Sequence, residues 1–407
     1  MSEGDDAHSA GWYLTSVATF MIPAGIQMVL LPYLLAIELN QPAARFGVTQ
    51  MFGQLPMLLF LLFGGWLADR VDPRRILIGL HGAAILMPLS LAVLLWRNQL
   101  SELSLVLYAV AWGLVSAFAM PARDGLLRRV AGNKVQRMVT LAIGMQFGTQ
   151  MVGQGLGGAA ARWGSISILL VQCVVLAAGI LAASRLPPST TKATPATTGP
   201  IRETLLREFG GGLSLIASNA PMRTTFLMTL GMGVFFGGVF AVVLPLTIRD
   251  LYAGGAQDIA IGFIMFGLGT LISIAALTRR GGLAYPGRAL AMALLLGSCT
   301  LCPIVLAPPK WVFYLCIFAW GICGGVAMSM SRTILQEHAP STHQSRTMAV
   351  LSLSTAGGGP LGSLIMGFAV SALSVRWAIL LPILGVAITT VSALAAHSIW
   401  RLRSRSH

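Results

Sequence analysis

The chain has 407 residues, 56% of them hydrophobic and only 10% charged, with a formal net charge of +14 and a mean hydropathy of +0.78. So large an apolar share cannot be hidden inside a soluble globule, and the sequence describes an integral membrane protein with no soluble domain left over. Its 27 basic residues lie in short clusters between apolar runs, a topology signal that excludes nucleic acid as a partner.

The opening, Met1 to Asp6, is acidic and lacks the basic region and small-residue cleavage site of a signal peptide, so the first apolar run is expected to stay as a spanning helix. A bilayer core of roughly 30 Å takes about 20 apolar residues as helix. Runs of that kind predict spans at 12–36, 45–67, 75–96, 103–122, 138–161 and 164–185. The stretch 187–200 is rich in Pro and Thr and too poor in apolar residues to fold alone. Residues 201–220 set Leu205, Leu206, Phe209, Leu213, Leu215 and Ile216 beside charged positions, which reads either as an amphipathic helix on the inner surface or as an ordered loop. Six more spans follow at 224–248, 258–278, 287–307, 311–332, 346–371 and 376–400.

The expected fold is an all-α membrane protein of twelve transmembrane helices in two pseudo-symmetric six-helix bundles. The first bundle is 1–186, the cytoplasmic linker 187–220 and the second bundle 221–407. With both termini cytoplasmic, every basic residue falls on the inner side except Arg45, Arg97, Arg162, Arg249, Lys310 and Arg376. The positive-inside rule then gives a multi-pass protein of the cytoplasmic (inner) membrane.

The two halves repeat. Ala111–Trp112–Gly113 in span four recurs as Ala319–Trp320–Gly321 in span ten, Arg123 and Arg137 match Arg332 and Arg346, and Gly153 and Gly158 match Gly362 and Gly367. A span ending in Arg, a basic loop and a Gly-rich span thus hold the same rank in each half. Such a repeat implies two parallel six-helix halves, and proteins so built move substrates at the interface between them.

Between spans two and three, Asp69, Arg70, Asp72, Arg74 and Arg75 put five charges into seven positions. Gly65–x–Leu67–Ala68–Asp69–Arg70 followed by Arg74–Arg75 resembles the signature of the major facilitator superfamily, and the resemblance extends over essentially the whole chain. Met120–Pro121–Ala122–Arg123 and the Gly-rich fifth span resemble, more narrowly, the branch of enterobactin-exporter-like and macrolide-efflux-like proteins. The resemblance implies a conformational gate of Gly65, Asp69, Arg70, Arg74 and Asp124. Asp69 would face the positive end of a span-eleven helix, while Arg70 or Arg74 reaches Asp124 at the end of span four. The signature usually has Gly where Asp72 stands and a basic residue where Pro73 stands, and Arg74 is the nearest substitute. Independently of any gate, Arg70, Arg74 and Arg75 anchor the loop on the inner side.

All 13 acids fall at span ends or in loops, so no carboxylate sits at mid-bilayer to carry a coupled ion. A proton or sodium gradient as the energy source comes from the resemblance alone. Neutral polarity remains inside the spans. Gln146, Gln150 and Gln154 recur at i, i+4 and i+8, drifting about 40° per step, and form one stripe. Gln50 and Gln54 repeat the spacing in span two, and Gln27 lies in span one. These amides suit a polar small-molecule substrate and equally suit packing between helices. Trp112 and Trp320, singled out by the repeat, join them as candidates for substrate binding. Gly153, Gly157 and Gly158 on span five, with Gly359 and Pro360 on span eleven, are expected to let helices approach and bend.

Five cysteines lie within apolar runs, including the Cys299–x–x–Cys302 pair; thiolate chemistry needs an aqueous edge, so they read as core residues and no metal or cofactor is expected. The pattern predicts a monomeric secondary transporter working by alternating access and exporting a small amphipathic or polar organic compound, siderophore-like or drug-like. An uptake facilitator or lysophospholipid transporter is the alternative within the class. An intramembrane lipid-modifying enzyme is the alternative outside it, and Glu337, His338 and His343 are its one cluster of ligating side chains. No nucleotide-binding loop is present.

Overall fold

The computed structural model describes residues 3–131, 135–187, 214, 216–280, 283–338, 344–396, 399–400 and 402. Every regular element among them is helical. In chain order, α1 is Glu3–Tyr33, continued by a π segment at Leu34–Glu38, and α2 is Ala43–Arg70. α3 is Pro73–Trp96, α4 Glu102–Ala131 and α5 Val135–Gly158; α6, Ser165–Ser184, follows a helical turn at Ala160–Trp163. α7 is Ala220–Tyr252, with π segments at Met232–Phe236 and Val239–Val243. α8 is Ala256–Arg279, and α9 is Pro286–Leu301 with a 3-10 continuation to Leu306. α10 is Lys310–His338, α11 Gln344–Ala378 and α12 Leu380–Ala396. Nine of these are long and apolar enough to cross a membrane, and α2, α5 and α12 complete the twelve. The linker and amphipathic helix expected at 187–220 fall mostly on 188–213 and 215, outside the described residues.

Local chemistry sets the helix ends. The Asp72 carboxylate accepts from the Arg74 backbone N–H at 3.2 Å and Pro73 follows at the first helical position, so α3 begins there. Asn219 caps α7 in the same way, accepting from Met222 N–H at 3.2 Å. α4 runs to Ala131, well past the apolar span expected to end at 122, which puts Arg123 inside a helix.

Six residues have positive φ, and they pair by rank across the halves: Asn40 (44°) with Ala253 (46°), Asn98 (54°) with Ala307 (49°), and Gly164 (81°) with Ser374 (66°). They sit at the first, third and fifth connections of each half. The repeat read from Trp and Gly therefore extends to backbone conformation. Ser374, at ψ 159°, occupies the region that its mate Gly164 fills at ψ 145°.

The chain forms two compact units. One comprises Met1–Asn40, Phe52–Thr198 and Gly254–Phe263, the other Gln41–Met51, Gly199–Ala253 and Ile264–His407. In the first, α1 is the central element, packed against α4, α5 and α6. Its core gathers around Phe20, with Tyr13, Val17, Leu77, Trp112, Leu126 and Leu176 all buried. Glycine lets α5 close on α1: a Cβ at Gly153 would overlap the Ile22 carbonyl, and one at Gly157 would lie 2.9 Å from the Ile26 carbonyl.

In the second unit the same seam joins α7 and α11. A Cβ at Gly362 would overlap the Val234 carbonyl, and one at Gly233 would come within 2.7 Å of the Ser354 carbonyl. The matched glycines Gly153 and Gly362 thus occupy the same packing position. Lipid tails are as apolar as Leu, so close van der Waals approach of this kind, rather than a hydrophobic force, holds the helices. The outer start of α2 belongs to this unit, with Gly47 against Ser363 and Gly367 of α11.

Candidate functional site

The charged loop after α2 is built from caps and ring contacts. Gly65 has open space around a Cβ position; the close approach belongs to its neighbour Gly64, whose Cβ would lie 2.5 Å from the Ala117 carbonyl of α4. The Asp69 side chain lies outside the described residues. The Arg70 guanidinium carbon stands 4.2 Å from the centroid of the Trp66 ring, a cation–π contact. Arg74 donates through Nη2 to the Ser184 carbonyl at the end of α6, a cation placed where that helix exposes its last acceptors. Asp124 is exposed on α4.

The glutamines divide between packing and unspent polarity. Gln150 donates to Met28 Sδ at 2.7 Å and Gln154 to the same sulfur at 3.8 Å, so both span the α1–α5 seam. The Gln154 and Gln27 side-chain oxygens are buried without a hydrogen-bond partner. Gln146 and Gln54 are partly exposed. Gln50 donates to the Ala241 carbonyl at 2.9 Å, inside the second π segment of α7, where i→i+5 bonding changes the backbone pairing.

Trp112 is 8% exposed and stacks on Phe20 at 5.7 Å; Trp320 is 1% exposed, with Phe266 at 4.7 Å, Phe236 at 5.5 Å and Phe240 at 6.5 Å. Each tryptophan is a core residue of its own unit. Trp320 Nε1 is buried without a partner. Gly158 packs on Ala260 of α8. Gly359 and Pro360 are buried in α11, where the residue that leaves helical geometry is Ser374. His343 lies outside the described residues, and among those described no group of three or more His, Cys, Asp or Glu is placed to hold a metal ion.

A second constellation surrounds Phe20. Arg123, on α4, is 9% exposed and stands with its guanidinium carbon 5.3 Å from the Phe20 ring centroid. His81, on α3, is fully buried and meets the same ring edge-on at 5.7 Å. Its Nδ1 lies 2.8 Å from the Leu77 carbonyl, and its other nitrogen packs against Gly179. Ser16 lies one turn before Phe20 on α1 and is 1% exposed. Arg123 Nε and Nη1, His81 Nε2 and Ser16 Oγ are all buried without a hydrogen-bond partner.

A buried ion loses several kcal/mol of hydration, while a desolvated cation–π contact returns about 2 kcal/mol. Phe20 alone does not compensate Arg123. A scan for apolar runs places Arg123 among the inner-loop anchors and His81 among isolated histidines. The signal that finds them is helical spacing: Ala119, Arg123, Leu126 and Val130 continue one face of α4, as Leu77, His81, Ala84, Pro88 and Leu91 do on α3.

Comparison with known proteins gives the family. The sequence profile of the Major Facilitator Superfamily matches residues 13–359 and again 239–407. No curated protein sequence matches the chain. Among solved structures, the nucleoside transporter NupG superposes with a TM-score of 0.77 at 12% identity, covering 95% of this chain and 98% of that one. A bacterial homologue of the human lysosomal transporter Spinster, inward-facing and unoccupied, gives 0.69 at 15% identity over 100% of this chain and 98% of that one. The peptide transporter POT in complex with sulfate gives 0.74 at 11% identity over 97% of this chain and 96% of that one. At these identities the structural likeness establishes the fold, and the profile match, reaching from residue 13 to the last residue, establishes that the chain belongs to the Major Facilitator Superfamily of membrane transporters.

Proposed function

We propose that this transporter works by alternating access and exports a small amphipathic or polar organic compound from the cytoplasm across the inner membrane, with both termini cytoplasmic. The observation that carries the mechanism is the doubled seam: Gly153 on Ile22 and Gly362 on Val234 give residues 1–186 and 221–407 equivalent close-packed helix pairs. Equivalent halves rocking about a shared site are the general basis of alternating access. Orientation rests on the concentration of basic residues in one set of loops. Export rests on the likeness of Met120–Arg123 and the fifth span to the enterobactin-exporter-like and macrolide-efflux-like branch.

In this reading Gly65, Asp69, Arg70, Arg74 and Asp124 form the inner gate. Gln27, Gln54, Gln146 and Gln154 are the polar groups offered to cargo, with Gln50, Gln150, Trp112 and Trp320 shaping the helices behind them. A proton or sodium gradient supplies the energy. The test is transport in proteoliposomes, with siderophores, antibiotics, sugars and lysolipids as candidates under imposed proton and sodium gradients. At least one compound should move faster with the wild type than with Asp69→Ala. Equal rates for every compound would remove the reading's support.

A further inference from the structure

We infer that the pocket around Phe20 is an anion-recognition site in which Arg123 is the counter-charge for a carboxylate or phosphate group of the cargo, with Ser16 as a second donor. Among the described residues, Arg123 is the single Lys, Arg, Asp or Glu that is nine-tenths buried. Its Nε and Nη1 protons and the Ser16 hydroxyl lack acceptors, and an anionic group supplies them for both. Asp124, the next residue, is exposed on another side of α4, since consecutive helical positions do not share a face.

The other half shows that the fold itself does not call for this polarity. By the repeat, Leu290 stands where His81 stands and is fully buried, while Arg332 stands where Arg123 stands and is exposed. A cation drawn into one core and left outside its twin serves something other than helix packing. An ionisable side chain held within a membrane bundle points to a function. That the anion belongs to cargo rests on the transporter reading; that the site takes an anion does not.

Full-length protein in nanodiscs is titrated calorimetrically with 1-naphthoate and decanoate, each against its neutral amide. The wild type should bind the carboxylates at least about tenfold more tightly than the amides. Arg123→Gln should bind both alike, Arg123→Lys should keep part of the preference, and Gln27→Leu should keep all of it. Without ligand, Arg123→Gln should melt no lower than the wild type. Absence of carboxylate preference in the wild type, or its survival in Arg123→Gln, overturns the inference. So does a melting loss above about 5 °C in Arg123→Gln that Arg123→Lys restores, because the cation would then have a structural partner. If the carboxylates bind with the expected preference but neither they nor the wider panel cross proteoliposomes, the transporter reading fails and the anion site stands.

Discussion

Replacing Ser374 by Gly should stabilise the protein, against the usual cost of adding glycine to a chain. Ser374 sits at φ 66° and ψ 159°, a region open almost solely to glycine, where another residue carries about 1–3 kcal/mol of strain. Glycine's extra freedom in the unfolded chain takes back roughly 0.5–1 kcal/mol. The balance is a gain of about 0.5–2 kcal/mol, or roughly 1–6 °C for a unit of this size. The mate Gly164, at φ 81° and ψ 145°, supplies the reciprocal test: Gly164→Ser should lower the melting temperature by a comparable amount. Both are read from fluorescence-detected size exclusion after heating in detergent. A fall in melting temperature for Ser374→Gly, alongside a neutral Gly164→Ser, would refute the assignment of strain to this connection.

Gly153→Ala and Gly362→Ala each force a Cβ onto a carbonyl of the facing helix and should cost about 1–3 kcal/mol by overpacking. Gly148→Ala, which meets open space, should be neutral or gain up to about 1 kcal/mol; the same melting assay separates them. Gln50→Leu removes the donor to the Ala241 carbonyl and should cost about 1–3 kcal/mol if no other donor replaces it. Gln150→Leu gives up only a contact to sulfur and should alter cargo affinity in a binding titration while leaving detergent stability nearly unchanged.

Twelve helices and their order follow from hydropathy because each span needs its own run of apolar residues, and the start of α3 is written in Asp72 and Pro73. What the sequence hides is direction within a helix end. A charge terminates an apolar run whether it faces water or core, so the run ending at Ala122 conceals that Arg123 turns inward. Gly64 and Gly65 are adjacent and chemically identical, and only the position of α4 decides that Gly64 takes the close approach. Gln50 reads as a polar lining residue because its acceptor, Ala241, lies in a π segment, and such segments arise from packing that no local pattern records.

A π turn takes up more residues than the α turn it replaces. α1 holds one such segment and α7 two, and the stretch from Val234 to Ala253 is one residue longer than its mate from Ile22 to Asn40. An added residue in an ordinary helix would turn every side chain beyond it by about 100°. Absorbed in a wide turn, it leaves the outer ends of α1 and α7 in equivalent orientation, so alignment of the letters slips while alignment in space holds. The counterpart of Gln27 is accordingly an apolar residue, Val239 or Phe240, and the polarity that Gln27 brings is supplied by one parent of the duplicated pair alone.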